Sequence, residues 1–198
     1  MFLRHLTLAS RPTSTSQDTL LPPFFSLDRY CRRRETDASA LHLFGLVCER
    51  LHMDELSAVV MGKAISYLEA SYEESEDPII ERRYTIANTN LGRILLSTGK
   101  LEESIEKFET AFGLLPADDE LLETAILRAM CQLGCGIAHF QLDHLEEALT
   151  MFESAQEIAS AEGASHIRGQ ITVLLAKVLW EIGSDEFKES AKEQLLAW

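Results

Sequence analysis

The stretch NTNLGRILLSTGKLEESIEKFETAFGLLP, residues 88–116, has the pattern of two helices joined by a turn. Gly92 leaves room for the second helix to cross closely over the first, because a side chain there would force the two helices apart. Gly99 can take the left-handed conformation that ends a helix. Phe108 lies on the apolar face of the second helix, and Pro116 stops that helix just beyond its last turn. The stretch therefore predicts a helical hairpin.

The same frame returns elsewhere in the chain, each time with a small residue at the position of Gly92. The other small residues are Gly45, Gly136 and Ala176, and successive members of the series lie 47, 44 and 40 residues apart. The frames predict four repeats, at about 38–71, 85–118, 129–162 and 169–198. The side chains that they assign to packing between helices are Gly45, Ala64, Gly92, Phe108, Ala111, Gly136, Ala148, Phe152, Ala155 and Ala176.

These frames resemble the tetratricopeptide-repeat (TPR) family, whose pattern is W-x2-L-G-x2-Y, then A-x3-F and a closing Pro, at about 34 residues per repeat. The chain departs from it: no repeat carries the leading Trp, and only residues 85–118 keep the closing Pro. The extra residues lie at 72–84 and 119–128, which predicts longer helices than usual. The resemblance implies an all-α fold, a right-handed α-solenoid of antiparallel helix pairs with three full repeats and a partial fourth.

Three further segments look like fungal versions of the TPR scaffold subunit of the superkiller complex. They are LHLFGLVCERL (41–51), DPIIERR (77–83) and KESAKEQLL (188–196). The resemblance implies a cytoplasmic scaffold, with a nuclear location as an option. Such a scaffold holds an RNA helicase and a WD40-propeller protein together and assists the exosome in 3′-to-5′ mRNA decay. That family is several times longer, and the apolar end of this chain at 195–198 lacks a polar cap. Both features lead us to expect a fragment or a shortened product.

Composition narrows the classes of partner. The chain has 198 residues and a formal net charge of −14, a sign that repels a nucleic-acid backbone. The acidic surface therefore favours protein partners over direct nucleic-acid binding, although it also serves solubility. No apolar run approaches the roughly 18 residues of a membrane span. The sequence indicates neither a membrane segment nor a small-molecule substrate.

Residues 1–25 are expected to be a disordered or linker tail ahead of a helical repeat domain at 26–198. The tail is rich in Ser, Thr and Pro and ends near Pro22 and Pro23. Ser26 is the expected N-cap of a short helix, and Asp37 caps the next one.

The first seventeen residues allow an alternative. Residues 1–17 contain Arg4 and Arg11 and no acidic side chain, a bias that mitochondrial transit peptides share. A mitochondrial or other generic TPR adaptor therefore stays open beside the cytoplasmic scaffold.

One cluster of possible metal ligands lies late in the chain. His139 and Asp143 are four residues apart, with His144, Glu146 and Glu147 nearby, and ligands at helical spacing can hold a metal ion. However, Asp143 and His144 fall in the expected turn between two helices. We therefore favour a plain turn and predict no metal.

Nucleophilic and phosphate-binding patterns are weak. Cys131 and Cys135 share one helix face, where burial as small hydrophobes is favoured over a redox role. The Gly99-Lys100 pair follows Gly92 at the wrong distance for a phosphate loop, which needs Gly-x4-Gly-Lys-Ser/Thr. No cofactor and no enzymatic activity are predicted.

In a stacked array of this kind, the first helix of each pair lines the inner, concave face. The side chains that we expect to contact a partner there are His42, Asn90, Arg93, Leu96, Phe140, Lys177 and Trp180. A mainly apolar groove with two cations suits an extended or helical peptide that carries apolar anchors and some acid. Phe140 and Trp180 are the strongest candidates, because aromatic residues often carry binding energy. Leu133 and Ile137 either line this groove or pack between the helices.

Overall fold

The computed structural model describes residues 14–75, 77–116, 121–161 and 165–196. Over these ranges the chain forms nine α-helices and no β-strand. The helices are α1 (Ser14–Cys31), α2 (Ala38–Arg50), α3 (Asp54–Ser75), α4 (Pro78–Thr98), α5 (Leu101–Leu114), α6 (Leu122–Gln141), α7 (Leu145–Ala161), α8 (Ser165–Ile182) and α9 (Asp185–Leu196). The chain divides into two compact units, Met1–Gly99 and Lys100–Trp198.

Helix α1 begins earlier in the chain than the predicted domain organisation allows. The tail or linker expected at residues 1–25 is helical from Ser14 onward, so the prediction is wrong for residues 14–25. Ser26, the expected N-cap, lies inside the same helix. Residues 1–13, with most of the possible transit segment, lie outside the described residues.

The prolines that suggested a linker are accommodated by packing. Pro22 and Pro23 both lie inside α1, where each lacks the amide that a helix needs, at a cost of roughly 3 kcal/mol. Next to them, the Phe24 ring packs on the Phe44 ring of α2, with 5.4 Å between the ring centroids. Phe24 and Leu27 both pack against the buried core of the first unit. Burial of this apolar face offsets the missing backbone hydrogen bonds.

Helices α2 and α3 form the first hairpin. The Asp37 carboxylate accepts a hydrogen bond from the Ala40 amide at 3.0 Å and so caps α2, as predicted. A Cβ atom on Gly45 would lie 3.0 Å from the Met61 Cε atom, so α2 and α3 approach closely at this glycine. At the same crossing, the buried Ser57 hydroxyl donates to the Gly45 carbonyl at 2.7 Å. The crossing is therefore fixed by both close packing and a hydrogen bond.

The extra residues between the first two frames extend the helices. Helices α3 and α4 are 22 and 21 residues long, and the expectation of long helices around 72–84 is confirmed. The Tyr72 and Tyr84 rings stack with their centroids 6.0 Å apart. Asp77 and Pro78 start α4, with the Asp77 carboxylate accepting from the amide of Ile79 at 2.8 Å.

In the second unit, α5 packs on α6, α6 on α7, α7 on α8, and α8 on α9. A Cβ atom on Gly136 would lie 2.6 Å from the Phe152 ring, so α6 and α7 cross at the predicted small residue. A second close approach had not been predicted. A Cβ atom on Gly134 would lie 2.4 Å from the Phe108 ring of α5. Two glycines on α6 thus each pack against a phenylalanine ring, one from α5 and one from α7.

A left-handed residue ends the first helix of each predicted pair. These residues are His52 (φ 59°), Gly99 (φ 80°), Asp143 (φ 64°) and Gly183 (φ 85°). Each lies seven residues after the small residue of its frame, which is Gly45, Gly92, Gly136 or Ala176. The constant offset shows that the four frames found in the sequence correspond to four similar local structures. All of the residues assigned to packing between helices are buried.

None of the helices described is long and apolar enough to cross a membrane.

Candidate protein-binding surfaces

A polar ladder joins α2 and α4 in the first unit. Its three rungs are Ser39 to Arg83, His42 to Asn90, and Glu49 to Arg93. The atoms involved are Arg83 Nη1 and Ser39 Oγ at 3.2 Å, Asn90 Nδ2 and His42 Nε2 at 3.0 Å, and Arg93 Nη2 and Glu49 Oε2 at 2.8 Å. The ladder forms because the three residues on each helix are three or seven positions apart, which places them on one helix face.

The middle rung is electrically neutral at pH 7. Burial lowers the pKa of His42 from its ordinary value of 6.5. The ring is therefore uncharged, and its Nε2 atom can accept the hydrogen bond that the Asn90 amide donates. His42 is therefore an uncharged part of this surface and does not attract an acidic side chain.

In the lower rung, Arg93, one of the two cations expected in the groove, forms an ion pair. Arg93 bonds to Glu49 through both of its terminal nitrogens. Its side chain is 44% exposed and that of Glu49 19% exposed, so the pair is partly shielded from water. Arg93 is therefore compensated within the chain, and a partner would meet an ion pair there.

Beside the upper rung lies a pocket with a volume of about 230 Å³. It is lined by Ala38, Ser39, His42, Leu68 and Arg83. Neither Ser39 nor Arg83 was among the residues expected at a partner surface. Their signal in the sequence is weak: Ser39 lies one turn before His42, and Arg83 two turns before Asn90.

The second unit carries an aromatic and cationic surface, here called the α8 surface, made of Phe140, Val173, Lys177, Trp180 and Lys188. Val173, Lys177 and Trp180 are four and three residues apart and share one face of α8. The Lys177 ammonium lies 4.9 Å from the centroid of the Phe140 ring, and the Lys188 ammonium 5.9 Å from that of Trp180. Trp180 is 52% exposed. The surface therefore presents an open aromatic ring beside two cations.

Leu96 is a correction to the predicted groove. Its side chain is only 6% exposed, so it lies in the interior. The reason is that α4 is buried over most of its circumference: Ile94, Leu95 and Leu96 are consecutive and all buried. The repeat pattern assigns one face of the first helix to the groove, and this assignment is wrong for a helix that is buried on most sides. Leu133 and Ile137 are buried as well, which favours packing between helices over lining a groove.

The cluster considered for a metal forms a turn. Asp143 has the left-handed conformation between α6 and α7, as expected of a turn residue. The His139 and His144 rings are 5.8 Å apart. Among the described residues, no group of three or more His, Cys, Asp and Glu side chains is arranged to hold a metal ion.

The cysteines are buried, and burial suppresses their nucleophilic form. Desolvation raises the pKa of Cys48 to about 11 and that of Cys135 to about 12. The thiolate is the reactive species, so both thiols are unreactive at physiological pH.

Comparison with known families supports the repeat frame. Residues 86–118 match the tetratricopeptide repeat. This match lies inside the second predicted frame, residues 85–118, which is also the stretch with the closing Pro116. The chain therefore contains a tetratricopeptide repeat.

Three relatives share one name and are much longer than this chain. The chain is 32% identical over 172 residues to superkiller protein 3 of Schizosaccharomyces pombe, and 27% identical over 172 residues to that of Saccharomyces cerevisiae. Each match covers 86% of this chain. Superkiller complex protein 3 of Homo sapiens is 29% identical over 133 residues. The chain spans only 12%, 11% and 8% of these three relatives. It thus resembles superkiller protein 3, as its sequence suggested.

A solved structure confirms the fold class. The MamA RS-1 ArsTM double mutant superposes with a TM-score of 0.68, over 92% of this chain and 86% of the other. The sequence identity is 13%, so the likeness concerns the fold alone. The predicted all-α fold of the TPR-solenoid type is correct.

Proposed function

For a chain of tetratricopeptide-type hairpins that resembles superkiller protein 3, we propose the role of a protein–protein interaction scaffold without catalytic activity of its own. The observation that carries the proposal is the constant seven-residue offset between each small residue and its left-handed turn, because repeated hairpins of this kind build extended binding surfaces. Buried thiols and the lack of a metal-binding group among the described residues are consistent with a binding role.

The finer proposal is a place in a superkiller-type complex in the cytoplasm. There the chain helps to link an RNA helicase and a WD40 protein to exosome-mediated 3′-to-5′ mRNA decay. Its support is the resemblance to yeast superkiller protein 3 over 86% of this chain. Since the chain spans 12% or less of these relatives, its part is one segment of the scaffold's binding surface. A net charge of −14 disfavours direct contact with RNA.

The α8 surface is the proposed partner contact in the second unit. Trp180 offers a half-exposed aromatic ring, the type of side chain that dominates many interfaces. Lys177 and Lys188 flank the aromatic rings and complement acidic residues on a partner. In the first unit, His42, Asn90 and Arg93 remain proposed contacts, now as parts of the polar ladder.

Affinity purification of the tagged chain from cell extract, followed by mass spectrometry, tests this function. We expect an RNA helicase and a WD40-repeat protein to be enriched with the wild-type chain. The Lys177→Glu variant should lose at least one of them. Lys63→Glu makes the same charge reversal at an exposed position of α3, and this variant should retain both proteins. Recovery of neither protein with the wild-type chain would contradict the superkiller assignment, and equal recovery with both variants would contradict the role of the α8 surface.

A mitochondrial or other generic TPR adaptor is the second candidate. It is favoured by the bias of residues 1–17, which contain Arg4 and Arg11 and no acidic side chain. Import of the full chain into isolated mitochondria with removal of an N-terminal segment would support it. A chain that stays outside and uncleaved would exclude the mitochondrial form of this candidate.

A further inference from the structure

The pocket beside the upper rung of the ladder differs from the α8 surface in both place and chemistry. Ala38 and Ser39 belong to the first turn of α2, His42 to the next turn, Leu68 to the second half of α3, and Arg83 to the second turn of α4. A water molecule takes up about 30 Å³ in the liquid. With about 230 Å³, the pocket has room for an amino-acid side chain.

Arg83 is the one cation among the pocket-lining residues, and its charge is not compensated. Its Nη1 atom donates to the neutral Ser39 hydroxyl at 3.2 Å. It forms no ion pair with the acidic side chains in the described part of the chain. Arg93, two rungs down the same ladder, is bonded to a carboxylate. The upper rung therefore lacks the anion that the lower rung has.

The two carboxylates adjacent in sequence to pocket residues are hydrogen-bonded to other groups. Asp37 accepts hydrogen bonds from the Tyr30 hydroxyl and from the Ala40 amide, each at 3.0 Å. Glu69 accepts from the Tyr84 hydroxyl at 3.0 Å. The remaining polar wall is His42, which burial keeps neutral at pH 7. The hydrogen bonds to Asp37 and Glu69 come from neutral donors and leave both carboxylates charged, but neither carboxylate forms an ion pair with Arg83. Arg83 is therefore the cation of the pocket that has no ion-pair partner among the described residues.

We propose that this pocket receives the carboxylate side chain of an aspartate or glutamate on a protein partner. A guanidinium binds a carboxylate through two parallel hydrogen bonds, and such charged pairs are stronger than bonds to a neutral hydroxyl. Ser39 can donate its hydroxyl proton to the same carboxylate. Leu68, buried in the floor, contacts the methylene groups of the incoming side chain. The site would anchor an acidic segment on the first unit, independently of any partner on the α8 surface.

Titration of the isotope-labelled full chain, followed by NMR, tests the site. The probes are two hexapeptides, acetyl-Gly-Leu-Glu-Glu-Leu-Gly-amide and the same peptide with Gln in place of Glu. We expect the Glu peptide to shift the signals of the Ser39 amide and the Arg83 side chain saturably, and the Gln peptide to leave them unchanged. Arg83→Gln should weaken Glu-peptide binding at least tenfold, and Arg83→Lys less, because an ammonium keeps the charge but loses the fork.

Arg82→Gln provides the control, since it removes an exposed arginine side chain one residue away on α4. It should change the affinity less than twofold. Equal weakening by Arg82→Gln and Arg83→Gln would reduce the effect to non-specific attraction and overturn the proposal. Saturation by inorganic phosphate without a response to the Glu peptide would overturn the choice of a carboxylate. Trp180→Ala should leave this titration unchanged, so the outcome is separable from that of the scaffold test.

Discussion

The Phe108 ring of α5 lies so close to Gly134 of α6 that a Cβ atom on Gly134 would come within 2.4 Å of it. We expect Gly134→Ala to lower the free energy of unfolding by about 1–3 kcal/mol, because Phe108 is 2% exposed and has little room to move. Urea denaturation measures the change. Gly113→Ala on α5 is the control: its Cβ atom would meet nothing within 4 Å, and it should not destabilise. A Gly134→Ala chain as stable as the wild type would refute the contact.

The phenylalanines that fill the crossings should contribute most to the stability of the second unit. Phe108→Ala and Phe152→Ala are each expected to lower the free energy of unfolding by about 3–5 kcal/mol, because both rings are buried and each would leave a cavity. Chemical denaturation checks the values. Val59→Ala, at a position 60% exposed, should change stability by less than about 0.5 kcal/mol. Losses below about 1 kcal/mol for both phenylalanines would mean that the repeat frame is misplaced.

Ser57 should stabilise the first hairpin through one hydrogen bond. Its hydroxyl is buried and donates to the Gly45 carbonyl at 2.7 Å. Ser57→Ala should reduce the free energy of unfolding by about 1 kcal/mol, the usual net value of such a bond. Thermal and urea unfolding measure the difference. Ser66→Ala, which removes an exposed hydroxyl on the same helix, should have a smaller effect, and equal effects of the two would contradict the assignment.

The ion pair between Arg93 and Glu49 should couple α2 to α4 weakly. Since both side chains are partly exposed, a double-mutant cycle with Arg93→Gln and Glu49→Gln should give a coupling of roughly 0.5–1 kcal/mol. The coupling should decrease between 0.05 and about 1 M salt, because screening shortens the range of the attraction. A coupling of zero at low salt would show that the rung does not form.

Cys135 should make stability depend on alkaline pH. Burial raises the pKa of its thiol from 9.0 to about 12, so an unfolded chain loses this proton at lower pH than the folded chain. Its contribution to stability is therefore complete below pH 9 and is lost as the pH rises toward 12. Cys135→Ala should show a shallower fall in the free energy of unfolding between pH 9 and 11 than the wild type. Identical slopes would mean that the thiol is not desolvated.

Local helix signals were readable from the sequence. Asp37 caps α2 and Gly99 takes the left-handed conformation as predicted, because capping and turn chemistry depend on the residue itself. The crossings at Gly45 and Gly136 were found because small residues recur in a fixed frame. Gly134 was missed, since the other frames hold larger residues two positions before their small residue.

Features set by packing between distant segments were not readable. Pro22 and Pro23 have the local chemistry of a linker, but they lie in α1, whose Phe24 and Leu27 pack against later helices. The rung between Ser39 and Arg83 depends on how two helices are rotated against each other, which no single-helix period specifies. Leu96 was assigned to an open face because the extent of burial around α4 is a property of its neighbours.

The fixed offset between each small residue and its left-handed turn contrasts with the drifting distances of 47, 44 and 40 residues from one small residue to the next. The variation in repeat length therefore lies outside the seven-residue span, in the outer parts of the helices and in the segments that join them. A one-residue insertion inside the seven-residue span would rotate the crossing face by about 100° and break the hairpin. Length variation in chains of this type should accordingly be confined to the segments that join one hairpin to the next.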